Sequence, residues 1–360
     1  MASHTLPRAA APSRFRRAFP VPVWHVLRHL WVPLFLAAGM ALAYVGAFSH
    51  PEPHHVDVAV VAPDAKAEVL AQHLQNQAGD RLDVRTVPAR GEAEKLLRRG
   101  DVAAVYVPGA APALIVDSVK SGSTVAETAT KTFTPLATAQ NAPLRVTDLG
   151  PIPDDDYAGG TVFFLLVALS LGGYTGAIAV AAAGAALSPW VRALLGLGLS
   201  LVTAIVTTVI AGPVAGAVHG NLTAVAAMGW IYASGVMLIG LGLHTFLGKV
   251  ATPVLVGLFV MLNLTSSGGL FAPELQPGFF ATLSDFWNGS AFVDAGRRIL
   301  YQGGDGMARD VWTLVAWLAA GVAVLAASAV YERRAHRAHR PTPAEAETAV
   351  DRELDTVAVA

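Results

Sequence analysis

The polar residues best suited to chemistry in this chain form one short run after an apolar segment. The run reads Asn263-Leu-Thr-Ser-Ser-Gly-Gly269 and is followed by Pro273. Its N–H and C=O groups cannot face lipid without hydrogen-bond partners, so we predict that it packs into a helix bundle or lines a wet cavity. The predicted cluster, on a substrate path or at the outer face, comprises Asn263, Ser266, Ser267, Gly268, Gly269 and Arg297. The alternative is that these residues only cap and pack a broken helix end.

Clusters of histidine and aspartate could also form a functional site, but their sequence context favours a structural role. His50, His54 and His55 could bind a metal ion, but Pro51 and Pro53 break the helical spacing that a His pair would need, which favours a solvated linker. Asp154-Asp155-Asp156 is typical of an acidic linker before a membrane helix. The chain has no cysteine, no GxxxxGK[ST] and no catalytic constellation, so we predict a protein that is not an enzyme and has no metal or cofactor.

The composition of the chain indicates whether it folds in water or in a lipid bilayer. Of its 360 residues, 54% are hydrophobic and 14% are charged, and the mean hydropathy is +0.50. Soluble domains carry charge on nearer a quarter of their residues, and a net charge of -1 gives no basic field for nucleic acid. We therefore predict an integral membrane protein that binds no nucleic acid and whose main partner is the lipid bilayer.

Apolar stretches of about 20 residues, the length that crosses a bilayer as a helix, occur six times. They are Leu30–Phe48, Gly159–Leu187, Ala193–Gly212, Leu222–Phe246, Val250–Phe271 and Val311–Tyr331. Arginine and lysine near their ends place both termini in the cytoplasm of a multi-pass protein of the cell membrane. The alternative for the first stretch is a signal peptide cleaved after Ala43.

The segment between the first two stretches has a different character. Its alternation of apolar strands and amphipathic helices predicts a small extracytoplasmic α/β domain with parallel strand pairing. Aromatic and charged residues alternate over 279–301, which predicts an interfacial or re-entrant helical pair. The predicted organisation is a cytoplasmic amphipathic basic arm (1–29, with Arg14, Arg16 and Arg17), a first span (30–49), the α/β domain (50–158), spans two to five (159–271), extracytoplasmic interfacial or re-entrant helices (272–310), a sixth span (311–331) and a disordered cytoplasmic tail (332–360).

Small residues at helical spacing predict close helix packing. The residues concerned are Gly172, Gly176, Gly184, Gly212 and Gly216. Packing within one bundle is favoured over a dimer interface as their role.

The order of one span, an α/β domain and five further spans resembles the YhgE/Pip branch of the type-2 ABC permease superfamily. The similarity is carried by Asn263–Gly269 with Pro273 and Pro277, by Ala295-Gly-Arg-Arg298 leading to Tyr301-Gln-Gly-Gly304, and by Pro151–Gly160 with Phe163–Gly173. It implies a polytopic permease-like subunit whose amphipathic N-terminal arm lies on the cytoplasmic face, where energised members of the superfamily contact an ATPase.

Two functions are therefore expected from the sequence. The first is a permease-like subunit of an ABC-type exporter, a homodimer or pseudo-dimer that moves a hydrophobic or amphipathic substrate with a separate ATPase. The second is a non-transporting membrane scaffold or receptor whose outer domain binds a cell-envelope partner or a phage.

Overall fold

The structure is a computed structural model that describes residues 38–40, 42–44, 48, 52–152, 156 and 159–338. The predicted basic arm, most of the first apolar stretch and the chain beyond residue 338 lie outside the described residues. Two bodies of secondary structure follow one another along the chain, an α/β domain and a helix bundle.

The α/β domain contains one five-stranded sheet in the order β2-β1-β3-β4-β5. Its strands are β1 (Val56–Val61), β2 (Leu82–Val87), β3 (Ala104–Val107), β4 (Ala113–Val116) and β5 (Arg145–Asp148). Its helices are α1 (Ala65–Ala78), α2 (Arg90–Arg99), the single turn α3 (Ser118–Ser121) and α4 (Ser123–Ala139). The predicted order of strands and helices is confirmed.

Strand direction departs from the prediction at one position. β1 pairs parallel with β2 and β3, and β4 pairs parallel with β5, but β3 and β4 are antiparallel. Only residues 108–112 connect β3 to β4. A parallel pair needs a crossover of a dozen or more residues, so this short connection permits only a hairpin.

Helices cover both faces of the sheet, which gives the domain two apolar layers. On one face, Tyr106 of β3 stacks on Phe133 of α4 with ring centroids 4.8 Å apart. On the other face, Leu97 of α2 is fully buried against β1 and β3. Asp64 caps α1 by accepting a hydrogen bond of 2.9 Å from the backbone N–H of Ala67, and Asp117 caps α3 in the same way.

Among the described residues, the second body contains four helical stretches that are long and apolar enough to cross a membrane. They are Thr161–Ala183, Pro189–Val214, Leu222–Thr265 and Ala308–Ala335. The helices are α5 (Thr161–Ala183), α6 (Pro189–Val209), α7 (Leu222–Leu247), α8 (Ala251–Val256), α9 (Asn263–Thr265) and α12 (Ala308–Ala338), with π-helical turns at Ile210–Val214 and Gly257–Leu262.

The 44-residue stretch Leu222–Thr265 folds back on itself. A straight helix would hold Tyr232 and Asn263 more than about 40 Å apart, yet Asn263 Nδ2 donates a hydrogen bond of 2.6 Å to Tyr232 Oη. The reversal occurs at Gly248, whose φ of +51° suits a residue without a Cβ. The stretch therefore consists of two antiparallel helical segments, α7 and the α8–α9 segment.

Glycines let the bundle helices approach closely within one chain. A Cβ on Gly172 would lie 2.6 Å from Thr203 Cγ2 of α6, and one on Gly176 would lie 2.7 Å from Met237 Cε of α7. A Cβ on Gly184 or Gly212 would also be crowded, against the backbone and side chains of neighbouring turns. No described residue packs against Gly216, so its predicted packing role stays a prediction. This residue follows the end of its helix with a φ of +67° and has open space where a Cβ would be.

The remaining elements complete the bundle. The predicted helical pair is present as α10 (Gly278–Ser284) and α11 (Asn288–Tyr301). Described residues of the first apolar stretch are helical, and Ala43 packs with Val256 and Met261 of the α8–α9 segment. Residues 332–338, predicted as part of a disordered tail, continue α12. They are rich in Ala and Arg, which favour helix, and the first helix breaker comes only at Pro341.

Candidate functional site

A charged cavity of about 500 Å³ lies where the α/β domain meets the helix bundle. Its wall includes Lys120 from α3, the turn Ser267-Gly268, and side chains from α11 and the start of α12. Sites for small molecules commonly have volumes of about 300–1,000 Å³, so this cavity has a suitable size for a ligand.

Charged groups of both signs line the cavity. The acidic residues are Asp57, Glu274, Asp285, Asp294 and Asp310. The basic residues are Arg99, Lys120, Arg297, Arg298 and Arg309. The concentration of charged groups of both signs in one cavity beside an apolar bundle makes it a candidate functional site.

One pair of these charges is satisfied directly. Arg298 Nε lies 3.1 Å from Asp310 Oδ2, and this ion pair joins α11 to α12. The contact fixes the angle between the two helices at the cavity wall.

Three other cations donate hydrogen bonds to neutral oxygens. Lys120 Nζ donates to Gln302 Oε1 over 2.7 Å. Arg297 Nη2 donates to the carbonyl oxygen of Gly269, and Arg309 Nη2 to that of Asp285, each over 3.1 Å. Within the described part of the chain, none of these three cations has an ion-pair partner. Hydrogen bonds to neutral oxygens therefore position these three cations at the cavity.

Burial perturbs two carboxyl groups and one guanidinium. Desolvation raises the pKa of Glu274, and the nearby carboxylates of Asp294 and Asp57 raise it further. Desolvation also raises the pKa of Asp294, against the opposing effect of Arg297. The same burial lowers the pKa of the Arg297 guanidinium, while Asp294 counteracts this shift. Arg297 and Asp294 therefore influence the pKa of each other through their charges, and both influence the pKa of Glu274.

The junction around the cavity is tied together by backbone, side-chain and apolar contacts. The backbone N–H of His54, just before β1, donates a hydrogen bond of 2.7 Å to the carbonyl oxygen of Glu274. Phe271, Ala272 and Leu275 pack into the core of the α/β domain. The segment after α9 therefore belongs to both bodies, and movement of one would be transmitted to the other.

The structure brings part of the predicted cluster to this cavity. Ser267, Gly268 and Arg297 line it, and the carbonyl of Gly269 holds Arg297 in place. Asn263 and Ser266 are fully buried away from the cavity wall. The polar run is thus packed within protein and partly lines a cavity, as the need for backbone hydrogen bonds predicted.

Asn263 instead begins a chain of hydrogen bonds inside the bundle. Ser170 Oγ donates to the carbonyl oxygen of Leu166 over 2.7 Å. Ser170 and Tyr232 share a bond of 2.6 Å, in which Tyr232 must donate because the Ser170 proton is already used. Asn263 Nδ2 then donates to Tyr232 Oη, which links α9, α7 and α5. This arrangement agrees with the packing interpretation of Asn263.

Sequence reasoning missed the charged residues that give the cavity its character. Glu274, Asp294 and Asp57 were not among the predicted site residues. One local signal was present, since Asp294, Arg297 and Arg298 have the i, i+3 and i+4 spacing that puts them on one face of α11. The spacing of residues in the sequence could not show that Asp57 of β1 lines the same cavity.

The predicted histidine and aspartate groups have structural contacts. His55 Nδ1 lies 3.2 Å from Asp83 Oδ1 at an exposed position. Asp156 accepts hydrogen bonds from the N–H and hydroxyl of Thr161 at the start of α5, and it also contacts the hydroxyl of Tyr301. Among residues that the structure describes, no group of three or more metal-ligating side chains is present. Asp154 and Asp155 lie outside the described residues.

A second polar cluster lies at the opposite end of the bundle. Arg192, at the hairpin between α5 and α6, donates to both carboxylate oxygens of Glu332 over 2.7 and 2.6 Å. Thr245 Oγ1 donates to the same carboxylate over 3.0 Å. These bonds clamp the hairpin to the ends of α7 and α12.

Comparison with known proteins finds no relative. No protein-family model, no curated protein and no solved structure matches this chain.

Proposed function

We propose that this chain is the membrane-embedded, permease-like subunit of an ABC-type exporter of the kind that the YhgE/Pip resemblance implies. The two antiparallel segments of Leu222–Thr265 count as two crossings, so the four apolar stretches supply five. The first apolar stretch, which packs on Met261, adds a sixth. In this topology the α/β domain is extracytoplasmic and both termini are cytoplasmic in the cell membrane.

The observation that carries the proposal is the charged cavity between the α/β domain and an otherwise apolar bundle. A polar chamber at the outer end of a helix bundle is suited to receive a substrate that leaves the membrane. The contacts of Phe271 and Leu275 with the domain core would couple its movement to that of the α8–α9 segment. At the other end, the Arg192–Glu332 clamp holds the helix ends that a cytoplasmic partner would reach.

The energy source would be a separate protein, because the chain has no phosphate-binding loop of its own. We expect a cytosolic ATPase with that motif to be recovered when the tagged protein is purified from native membranes in mild detergent. The measurement is mass spectrometry of the bound proteins, with an unrelated polytopic membrane protein carrying the same tag as control.

A matched variant makes this test sharper. Replacing Arg14, Arg16 and Arg17 with glutamine removes the charge of the predicted arm and should reduce ATPase recovery at least severalfold. Repeated purifications that recover no ATPase with the unmodified chain would contradict the exporter proposal.

The second candidate is a non-transporting scaffold or receptor in the same membrane. It is favoured by the tight core of the bundle, where the fully buried rings of Tyr232 and Phe292 lie 5.2 Å apart. Recovery of cell-envelope proteins that depend on residues 56–148, together with no ATPase, would favour this function.

A further inference from the structure

We infer that the charged cavity is a binding site for a small molecule that carries both a protonated amine and a phosphate group. Carboxylates line this cavity together with cations that donate hydrogen bonds only to neutral oxygens. Binding here needs neither an ATPase nor transport, so it goes beyond both proposed functions and can be tested on the purified chain.

The amine would be received by Glu274 and Asp294. Both carboxylates line the cavity, and neither has an ion-pair partner among the described residues. They are close enough for Asp294 to raise the pKa of Glu274, so an ammonium group between them would relieve their mutual repulsion. An ammonium donates three hydrogen bonds, enough to serve both carboxylates.

The phosphate would be received by Arg297, and Lys120 and Arg309 also line the cavity. The Arg297 side chain is positioned by its bond to the Gly269 carbonyl and uses only one of its five N–H donors there. A guanidinium fork matches the geometry of a phosphate and can bind it through two parallel bonds. Three cations without carboxylate partners suit the double charge of a phosphate better than the single charge of a carboxylate.

Ligands with one charge fit the site poorly. A simple cation would approach Arg297 and Lys120 as well as the carboxylates, and a simple anion would meet Glu274 and Asp294. A molecule that carries charges of both signs can meet the carboxylates and the cations at the same time. Such a molecule could be a soluble aminoalkyl phosphate or the headgroup of an aminophospholipid.

The test uses the full chain in detergent after exhaustive delipidation. Isothermal titration should show saturable binding of O-phosphoethanolamine and at least roughly tenfold weaker binding of ethanolamine or inorganic phosphate, because each lacks one charge-assisted contact. Parallel samples in nanodiscs with and without phosphatidylethanolamine identify the source. Retention of this lipid through delipidation assigns the site to a headgroup, whereas binding of the soluble probe without lipid retention assigns it to a soluble compound.

Two variants probe the two ends of the site separately. Glu274→Gln should weaken binding of O-phosphoethanolamine by roughly tenfold to a hundredfold while leaving the weak binding of inorganic phosphate unchanged. Arg297→Lys should weaken phosphate binding and leave ethanolamine binding unchanged, and it keeps a positive charge in the folded protein. The matched control is Glu127→Gln, on an exposed carboxylate of α4 that pairs with Lys131, and it should bind like the unmodified chain.

Absence of saturable binding of both O-phosphoethanolamine and phosphatidylethanolamine would overturn the inference. Equal binding of the single-charge probes would also overturn it, as would wild-type affinity in both cavity variants.

Discussion

Replacing Arg297 with glutamine is expected to lower the free energy of unfolding by about 2–3 kcal/mol at neutral pH. Hydrogen bonds made by charged groups typically contribute about 1.5–3 kcal/mol to stability, and Arg297 makes such a bond to a carbonyl oxygen. The substitution removes the cation that opposes the raised pKa of Asp294 and Glu274. It also removes the hydrogen bond to the Gly269 carbonyl, which holds the turn after α9.

The loss of stability caused by Arg297→Gln should increase as the pH rises. Because the pKa values of Glu274 and Asp294 in the folded protein are above their ordinary values of 4.5 and 3.8, the folded chain binds more protons than the unfolded chain. The stability associated with these groups is thus fully present below their ordinary pKa values and falls as the pH rises through the raised values. Without Arg297 both pKa values should rise further, so the deficit of the variant should be larger at about pH 7.5 than at about pH 5.

Denaturant unfolding of the detergent-solubilised protein, followed by tryptophan fluorescence at both pH values, measures this effect. Arg90→Gln is the matched control, since Arg90 is an exposed residue of α2 that pairs with Glu94. An Arg297→Gln variant as stable as this control at both pH values would show that Arg297 does not stabilise the junction.

Replacing Gly289 with alanine is expected to destabilise the protein by about 1–3 kcal/mol, as overpacking of a buried contact usually does. A Cβ at this position would overlap the amide oxygen of Asn263 and lie 2.8 Å from Asn263 Cγ. Asn263 would have to move, which would strain its bond to Tyr232. Alanine elsewhere in a helix normally gives a gain of about 0.5–1 kcal/mol over glycine, so a loss would be diagnostic.

Gly278→Ala provides the matched comparison for this variant. Gly278 begins α10, and a Cβ there would meet nothing within 4 Å. The apparent melting temperature of Gly289→Ala should fall by several degrees below that of Gly278→Ala. Equal melting temperatures for the two variants would contradict the close contact between α11 and α9.

Local patterns in the sequence predicted much of the α/β domain. β1 and β2 occupy the predicted residues because both are short apolar-rich runs bounded by turn-forming residues. The helix Ser123–Ala139 forms despite its threonines, since several of their hydroxyls donate to the carbonyl four residues earlier, as Thr128 does to Thr124. The prediction of parallel pairing was wrong between β3 and β4, because strand direction there depends on the length of the connecting loop.

The cavity could not be predicted from the sequence. Asp57 is on β1, whereas Glu274 and Asp294 follow α9, and only the tertiary fold brings these groups to one chamber. The run Asn263–Gly269 was predicted to be enclosed because every backbone polar group in an apolar setting needs a partner. The same reasoning could not distinguish Ser267, which lines the cavity, from Ser266, which is buried beside it.

The central claim is that the α/β domain and the end of α12 lie on opposite sides of the membrane. The chain has no cysteine, so single-cysteine variants can be labelled without background. Gln72→Cys on α1 and Arg334→Cys on α12 replace exposed residues. In sealed spheroplasts a membrane-impermeant maleimide should label Gln72→Cys at once and Arg334→Cys only after permeabilisation. Labelling of both positions from the same side would contradict the proposed topology.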